Sequence, residues 1–270
     1  MVLRSGPIIR SGFPRAGSLS GNQKRDEFEA NLLSLGDARF LWLPRPTETT
    51  TSTDRSRYAR TGTYDASVAS QYVTLGSGVG VTWDGTSDSL YYADADDLSF
   101  GDGVVDQPLS MIALVNVTAD ANEKDLLSKQ TSGAAANREY SFYFDSSERF
   151  FATFTDESAS AIIGQRDAVT TAGASRLIAA SYDGSASRAG IVVYEAGLRS
   201  AMTSADSGTY TAMENKGERV YVGASTNALN TPRLWFSGIQ YFVVLYAKAL
   251  TDDDMWQAKR WADAYYGVTL

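Results

Sequence analysis

Hydrophobic positions are densest near the end of the chain. From Phe236 to Tyr246 aromatic and β-branched residues follow one another closely, long enough for one central, buried strand. After a break at Ala247–Leu250 the period changes, and Met255, Ala258, Ala262 and Tyr265 or Tyr266 recur at helical spacing. Thr251 stands where a side-chain oxygen can accept from the free amides of a first turn. Asp252, Asp253 and Asp254 put negative charge at the positive end of the helix dipole, and Gly267 can close the helix in the left-handed conformation. The pattern predicts a strand feeding one terminal helix that packs Met255, Trp256 or Trp261 on the sheet.

Upstream, Met1 to Gly21 reads as an arm. Gly6, Pro7, Gly12, Pro14, Gly17 and Gly21 break any period, while Ile8, Ile9, Phe13 and Leu19 supply apolar anchors. Such a segment is either a loose terminus or an arm that orders against a partner. A helix is predicted over Gln23–Leu35, with Phe28, Leu32 and Leu35 on one face and Asn22 as cap. Phe40–Leu43 is a short strand ended by Pro44, and Thr47–Thr63 reads as a polar, solvated connector. Strands then follow at Val79–Trp83, Ser89–Tyr92, Leu109–Val117 and Asp125–Lys129. Tyr140–Phe144 and Phe150–Phe154 form a hairpin turned at Asp145–Glu148; Arg176–Tyr182 pairs with Gly190–Tyr194, and Arg219–Gly223 precedes the last strand, Leu234–Tyr246. No long helices alternate with these strands and no fixed-period repeat is present. The expectation is an all-β, antiparallel jelly-roll β-sandwich with a short C-terminal helix and an extended N-terminal arm, divided into 1–36 and 37–270.

Composition narrows the chemistry. The 270 residues are 43 % hydrophobic, enough for a large core. Cysteine and histidine are both absent, which excludes disulfides, thiolate nucleophiles, imidazole metal ligands and triads with a histidine base. A net charge of −8 argues against a nucleic-acid partner. The first 25 residues nevertheless carry Arg4, Arg10, Arg15, Lys24 and Arg25 with no acid. No segment approaches the roughly 20 apolar residues that cross a bilayer, so no membrane partner is expected. The start lacks the apolar stretch of a secretory signal, so synthesis in a cytoplasm is expected.

Several short motifs occur in a familiar order. Val81-Thr-Trp-Asp-Gly-Thr-Ser-Asp88 is followed by Leu98-Ser-Phe100, the strand from Leu109 to Val115, and Leu127-Ser-Lys129. Ala180-Ser-Tyr-Asp-Gly184, Ile191-Val-Val-Tyr194, Val222-Gly223, Phe236-Ser-Gly-Ile-Gln240 and Tyr246-Ala-Lys-Ala-Leu-Thr-Asp252 complete the series. The series resembles the laminin-G-like, concanavalin-A-like jelly-roll domains over Phe40 to Gly267. Those domains share a sheet-leading FDG turn, an ILSK strand, a YDG strand end and an FSG-I closing strand before a short helix. Trp83 replaces the usual Phe, and Tyr246-Ala-Lys-Ala249 the usual Tyr-x-Arg-Ala. Residues up to about Gly36 have no counterpart in the pattern.

The resemblance implies glycan binding or, in relatives of the same sandwich, glycan cleavage. Cleavage needs paired carboxylates across the scissile bond, in sandwich glucanases commonly as Glu-x-Asp-x-x-Glu. That spacing is missing here, and Glu148, Glu157, Glu195, Glu214 and Glu218 are scattered, so no enzyme is expected. Tyr91, Tyr92, Trp235, Tyr140 and Tyr143 are candidates for stacking on sugars, against the alternative that strand aromatics are core. Asp84, Asp88, Asp94 and Asp96 crowd with Asp97, Asp102 and Asp106 in one stretch that could hold calcium, although aspartates equally suit surface turns. Jelly rolls of this kind occur in phage virion proteins. The main expectation is therefore a structural virion protein at the particle surface, a capsid decoration or fibre-like component. Its arm residues Arg4, Ile8, Ile9, Arg10, Phe13 and Arg15 would dock on other virion proteins such as the major capsid protein, and a homotrimer is expected by analogy. The alternative is a glycan-binding adhesion module, calcium-dependent if the aspartates bind metal, that recognises a host-surface glycan.

Overall fold

The computed structural model describes residues 20–66, 68, 71–132, 137–168, 172–227 and 231–270. The arm residues Arg4, Ile8, Ile9, Arg10, Phe13 and Arg15 lie outside them. Helix α1 (Gly21–Ser34) is followed by strands β1 (Ala38–Trp42), β2 (Thr51–Thr53), β3 (Thr61–Tyr64), β4 (Tyr72–Leu75), β5 (Gly78–Asp84) and β6 (Leu90–Tyr92). The middle of the chain supplies β7 (Leu109–Val117), β8 (Lys124–Ser132), β9 (Arg138–Phe144), β10 (Phe150–Asp156), β11 (Ala161–Asp167), β12 (Ser175–Tyr182) and β13 (Ile191–Glu195). Short strands β14 (Leu198–Arg199), β15 (Met202–Ser204), β16 (Val220–Val222), β17 (Ser225–Asn227) and β18 (Pro232–Arg233) lead to β19 (Ser237–Tyr246) and helix α2 (Asp252–Tyr266).

The strands form two sheets. The smaller runs β14-β13-β12-β7-β19-β5-β4, with β1 also on β19; the larger runs β15-β11-β10-β9-β8-β16-β6-β3-β2, with β17 and β18 attached beside β8. Among the described strands every pairing is antiparallel except the short β17–β8 contact. The expected antiparallel sandwich is therefore observed, and β19 lies inside its sheet.

Alternation along β7 and β19 builds two cores. Met111, Ala113 and Val115, with Val243 and Leu245, point between the sheets; Ile112 and Leu114, with Phe242, Val244 and Tyr246, point the other way, toward the helices. A strand covered on both faces needs no polar alternation, which is why these two read as continuous apolar runs. Phe28 of α1 stacks on Tyr265 of α2 at 4.6 Å and 9° and meets Tyr266 edge-on at 5.6 Å. The Tyr246 hydroxyl donates to the Leu32 carbonyl (2.8 Å). The short N-terminal helix is thus part of the layer that covers the sandwich.

Helix α2 has the predicted limits. Thr251 accepts from the Asp254 amide, Gly267 takes φ 67°, and Met255, Ala258, Ala262, Tyr265 and Tyr266 are buried. Trp256 departs from expectation: it is 47 % exposed, with the Lys259 ammonium 5.6 Å from its ring. Helix α1 is capped by Ser20 rather than Asn22, because Gln23 at the third helical position completes a reciprocal capping box with Ser20. The last strand begins at Ser237, not Leu234: Leu234 takes a left-handed φ of 50°, and its carbonyl accepts from the Asp125 amide.

The connector Thr47–Thr63 is the main correction. It contains β2 paired with β3, and Ser52, Asp54 and Ser56 in it are buried. Its polar side chains satisfy one another. Asp54 accepts from the Leu41 and Ser56 amides, the Ser56 hydroxyl and the Arg60 guanidinium. A fully partnered polar network can be buried where apolar side chains are lacking.

Candidate functional site

The outer face of the larger sheet, away from the helices, presents a row of hydroxyls. Strand register aligns Thr51, Thr63, Tyr91, Tyr221, Ser128, Ser141 and Thr153 across β2, β3, β6, β16, β8, β9 and β10. Their chain neighbours Tyr64, Leu90, Tyr92, Val220, Val222, Phe142, Ala152 and Phe154 point into the core, and successive side chains on a strand face opposite ways. The row therefore faces away from the core, but only Thr51, Thr63, Tyr91 and Thr153 reach solvent; Ser128 and Ser141 are buried, their hydroxyls donating to the Ala224 carbonyl and to Asp125.

At its centre Tyr91 leans on Tyr221, with ring centroids 5.8 Å apart and planes at 41°. The Arg219 guanidinium lies 4.5 Å from the Tyr91 ring centroid, a cation–π arrangement that fixes its position. A hydrogen bond to the Tyr221 hydroxyl raises the Arg219 pKa further. Tyr221 is buried, whereas Tyr91 and Arg219 are half-buried and reach solvent. Glu218 is occupied: one oxygen accepts from the Arg219 amide and the other from the Thr131 hydroxyl.

A second row crosses β8 to β15 as Asp125, Tyr143, Phe151, Arg166 and Thr203. Tyr143 and Phe151 pack at 4.9 Å, and Arg166 lies 6.0 Å from the Phe151 ring while its Nε donates to Thr203 Oγ1 (2.7 Å). Asp125 is buried beside residues 223–227 and 231–236, which are tied to the sheet by Gly223 N to Leu126 O (3.0 Å), Ser128 Oγ to Ala224 O (2.8 Å) and Asp125 N to Leu234 O (2.8 Å). One Asp125 oxygen accepts from the Ser141 hydroxyl, and the Ser225 hydroxyl also acts on the carboxyl. Burial pushes the Asp125 carboxyl up to about 7.

The sequence-predicted aromatics divide between environments. Tyr91 and Tyr143 stand on the outer face, and Trp235 is half-buried within residues 231–236 with its indole nitrogen unpartnered. Tyr92 and Tyr140 are fully buried and cannot take a sugar. Tyr92 packs edge-on against Phe40 at 4.9 Å, and the Tyr140 hydroxyl donates to the Leu98 carbonyl (3.1 Å).

The aspartates spend their oxygens locally. Asp84 is pushed up by partial burial, but bonds from the amides and hydroxyls of Thr86 and Ser87 outweigh that and hold it well below the usual range. Asp88 accepts from Gln71 Nε2 (2.6 Å), Asp94 pairs with Lys129 (2.8 Å), and Asp96 accepts from Asn215 (3.0 Å). Asp106 takes three donors: Tyr182, Tyr210 and the Met213 amide. Among the described residues no group of three or more acids is gathered to hold a metal ion. The crowding that hinted at calcium is a set of turn caps and loop anchors.

Three functional-looking cations escaped sequence reasoning. Arg219 carried no pattern of its own. Lys124 is fully buried between Asp120 (2.6 Å) and Glu148 (2.8 Å). Lys129, the last residue of the ILSK-like motif, is fully buried against Asp94, Glu139 (2.5 Å) and the Lys216 carbonyl (2.6 Å). Burial raises Glu139 to about 7 although Lys129 works against it. These lysines tie loops to the larger sheet and so hold its outer face in shape.

No family model matches the chain, and no curated protein matches it in sequence. Among solved structures it is similar to the binding domain of Paraclostridial Mosquitocidal Protein 1, with TM-score 0.58 and 11 % identity over 83 % of this chain and 52 % of that one. The binding domain of botulinum neurotoxin serotype G gives TM-score 0.57 and 12 % identity over 83 % and 51 %. A mutant of Trypanosoma rangeli sialidase displaying trans-sialidase activity gives 0.54 and 12 % over 91 % and 38 %. The chain spans between about two fifths and one half of the length of these structures. The likeness establishes the fold, a β-sandwich.

Proposed function

We propose that the chain is a carbohydrate-binding module whose ligand lies across the outer face of the larger sheet at Tyr91, Arg219 and Tyr221. The observation that carries this reading is the half-exposed tyrosine–guanidinium pair beside the exposed hydroxyls of Thr63 and Thr51. Aromatic edges take the apolar faces of sugar rings, and serine, threonine and tyrosine hydroxyls both donate to and accept from sugar hydroxyls. Two of the structural neighbours are by name binding domains and a third is a sialidase, which agrees with a sugar-related role. Binding rather than catalysis is proposed, because among the described residues the acids that flank this face, Asp65 and Glu218, make no solvent-facing pair: Glu218 is buried.

The test is a glycan array probed with the whole chain, followed by calorimetry on any ligand found. Tyr91→Ala and Arg219→Ala should each weaken binding at least tenfold while leaving the melting temperature within a few degrees. A blank array, or full affinity in both variants, would remove the reading. Calcium and a chelator should leave affinity and melting temperature unchanged, since the aspartates are engaged within their own loops.

A second reading, a phage virion component docked through its N-terminal arm with the laminin-G-like sandwich outward, draws on the motif order and on the five cations, with no acid, before residue 26. Incorporation into particles that survives deletion of residues 1–19 would sink it.

A further inference from the structure

We infer that the ligand of the Tyr91–Arg219 site is a saccharide carrying a carboxylate, with Arg219 as its receptor. This rests on the carbohydrate-binding reading above and names its ligand class. The chain is strongly acidic, with 32 acids against 24 bases, and most of its described arginines have a carboxylate within ion-pair distance, as Arg55 has Glu48 and Arg138 has Glu157. Arg219 has none. Its guanidinium carbon lies 4.5 Å from the Tyr91 ring centroid and the group is bonded to Tyr221, so a ring and a hydroxyl hold it where the other arginines have a carboxylate. The other arginines with no carboxylate partner differ. Arg25 is buried and donates to the Leu43 carbonyl (2.7 Å), while Arg233 and Arg260 are exposed with no ring beneath them.

A guanidinium held in place by a ring loses little freedom on forming a paired bond to a planar carboxylate, for which its fork geometry is matched. The surrounding charge limits the ligand to a single anion. Glu218 and Asp65 flank the site: Glu218 is committed to Thr131 and to the Arg219 amide, and Asp65 to the Ser89 hydroxyl. Together with the net negative chain they repel a polysulfated or polyphosphate ligand. Neighbouring hydroxyls Thr63 and Thr51 remain exposed for the uncharged sugar positions.

The decisive experiment compares oligosaccharides ending in a sialic or a uronic acid with the same oligosaccharides reduced at the carboxyl to the alcohol, and with a neutral and a polysulfated glycan. The expected result is a loss of tenfold or more on carboxyl reduction and a comparable loss in Arg219→Ala. Arg219→Lys, which keeps the charge but not the fork, should recover only part of the affinity. The two acid series show which source of the carboxylate fits. Equal binding of the acid and its alcohol, or tighter binding of the polysulfated chain, overturns the inference while leaving the carbohydrate-binding reading in place. Failure of every glycan overturns both. Circular dichroism and melting curves confirm that each variant is folded.

Discussion

On the helix side of the smaller sheet, Ile112, Leu114, Phe242 and Val244 leave β7 and β19 and are covered by Phe28, Leu32, Met255 and Ala258. On the far side of the molecule, the larger sheet turns Thr51, Thr63, Tyr91 and Thr153 outward, and among the described residues no helix covers them. Both faces belong to antiparallel sheets with the same inner core. They differ in what alternates with the core residues: a second apolar set on one side, hydroxyls and arginines on the other. The first face contributes stability through area removed from water; the second leaves polar groups whose bonds a ligand can take over from water. The difference separates a surface that must be closed for the chain to fold from one that can stay open.

Substitutions should tell these faces apart. The largest effect is expected at Phe28→Ala, which removes a ring packed on Tyr265, Tyr266 and Phe242 and should cost about 3–5 kcal/mol in denaturant unfolding; a loss below about 1 kcal/mol would mean that the helices contribute little to the covered face. Next is pH. Burial raises Asp125 and Glu139 to about 7, above the unfolded carboxyl range near 4. Unfolded chains then release these protons while the folded chain still holds them, so this contribution to stability falls as pH rises from about 4 to about 7 and levels off above. Asp125→Asn should flatten part of that slope, by a few kcal/mol at most; an unaltered slope would contradict the burial of this acid. Thr251→Ala should cost about 1 kcal/mol through the lost cap, read as a small drop in unfolding midpoint. The smallest effect belongs to the open face: Thr63→Val should change stability by within about 0.5 kcal/mol, and a larger loss would show that the exposed row is structural.

Legibility followed locality. Helix α2 could be read nearly residue by residue because its cap, its charged first turn, its apolar period and its closing glycine all lie within 17 residues of one another. Strand β7 was readable to both ends because both its faces are buried. Strands β2 and β3 were missed because their inward positions are Ser52, Gly62 and Tyr64, and because the burial of Asp54 between them depends on Arg60 and on the amide of Leu41 supplying donors. The lysines at 124 and 129 were unreadable for the same reason: a buried cation becomes tolerable only when distant acids fold against it. The aspartates between 84 and 106 show the converse, with a dense local signal whose meaning depended on where each oxygen found its donor.

Tyr91 and Tyr92 mark the limit most clearly. Strand propensity and alternation, properties of the sequence alone, require that these adjacent rings face opposite ways. Which ring faces out is decided by pairing with β3 and β16, which sets Tyr92 over Gly62 and against Phe40 in the core and leaves Tyr91 beside Tyr221 and Arg219. The sequence by itself determined the fold class, the terminal helix and the apolar strands, because these rest on periods of two and 3.6 residues within short windows. Only the tertiary structure decided the outer row, the placement of Arg219 and the burial of the charged anchors, because each needs residues brought together from strands tens of positions apart.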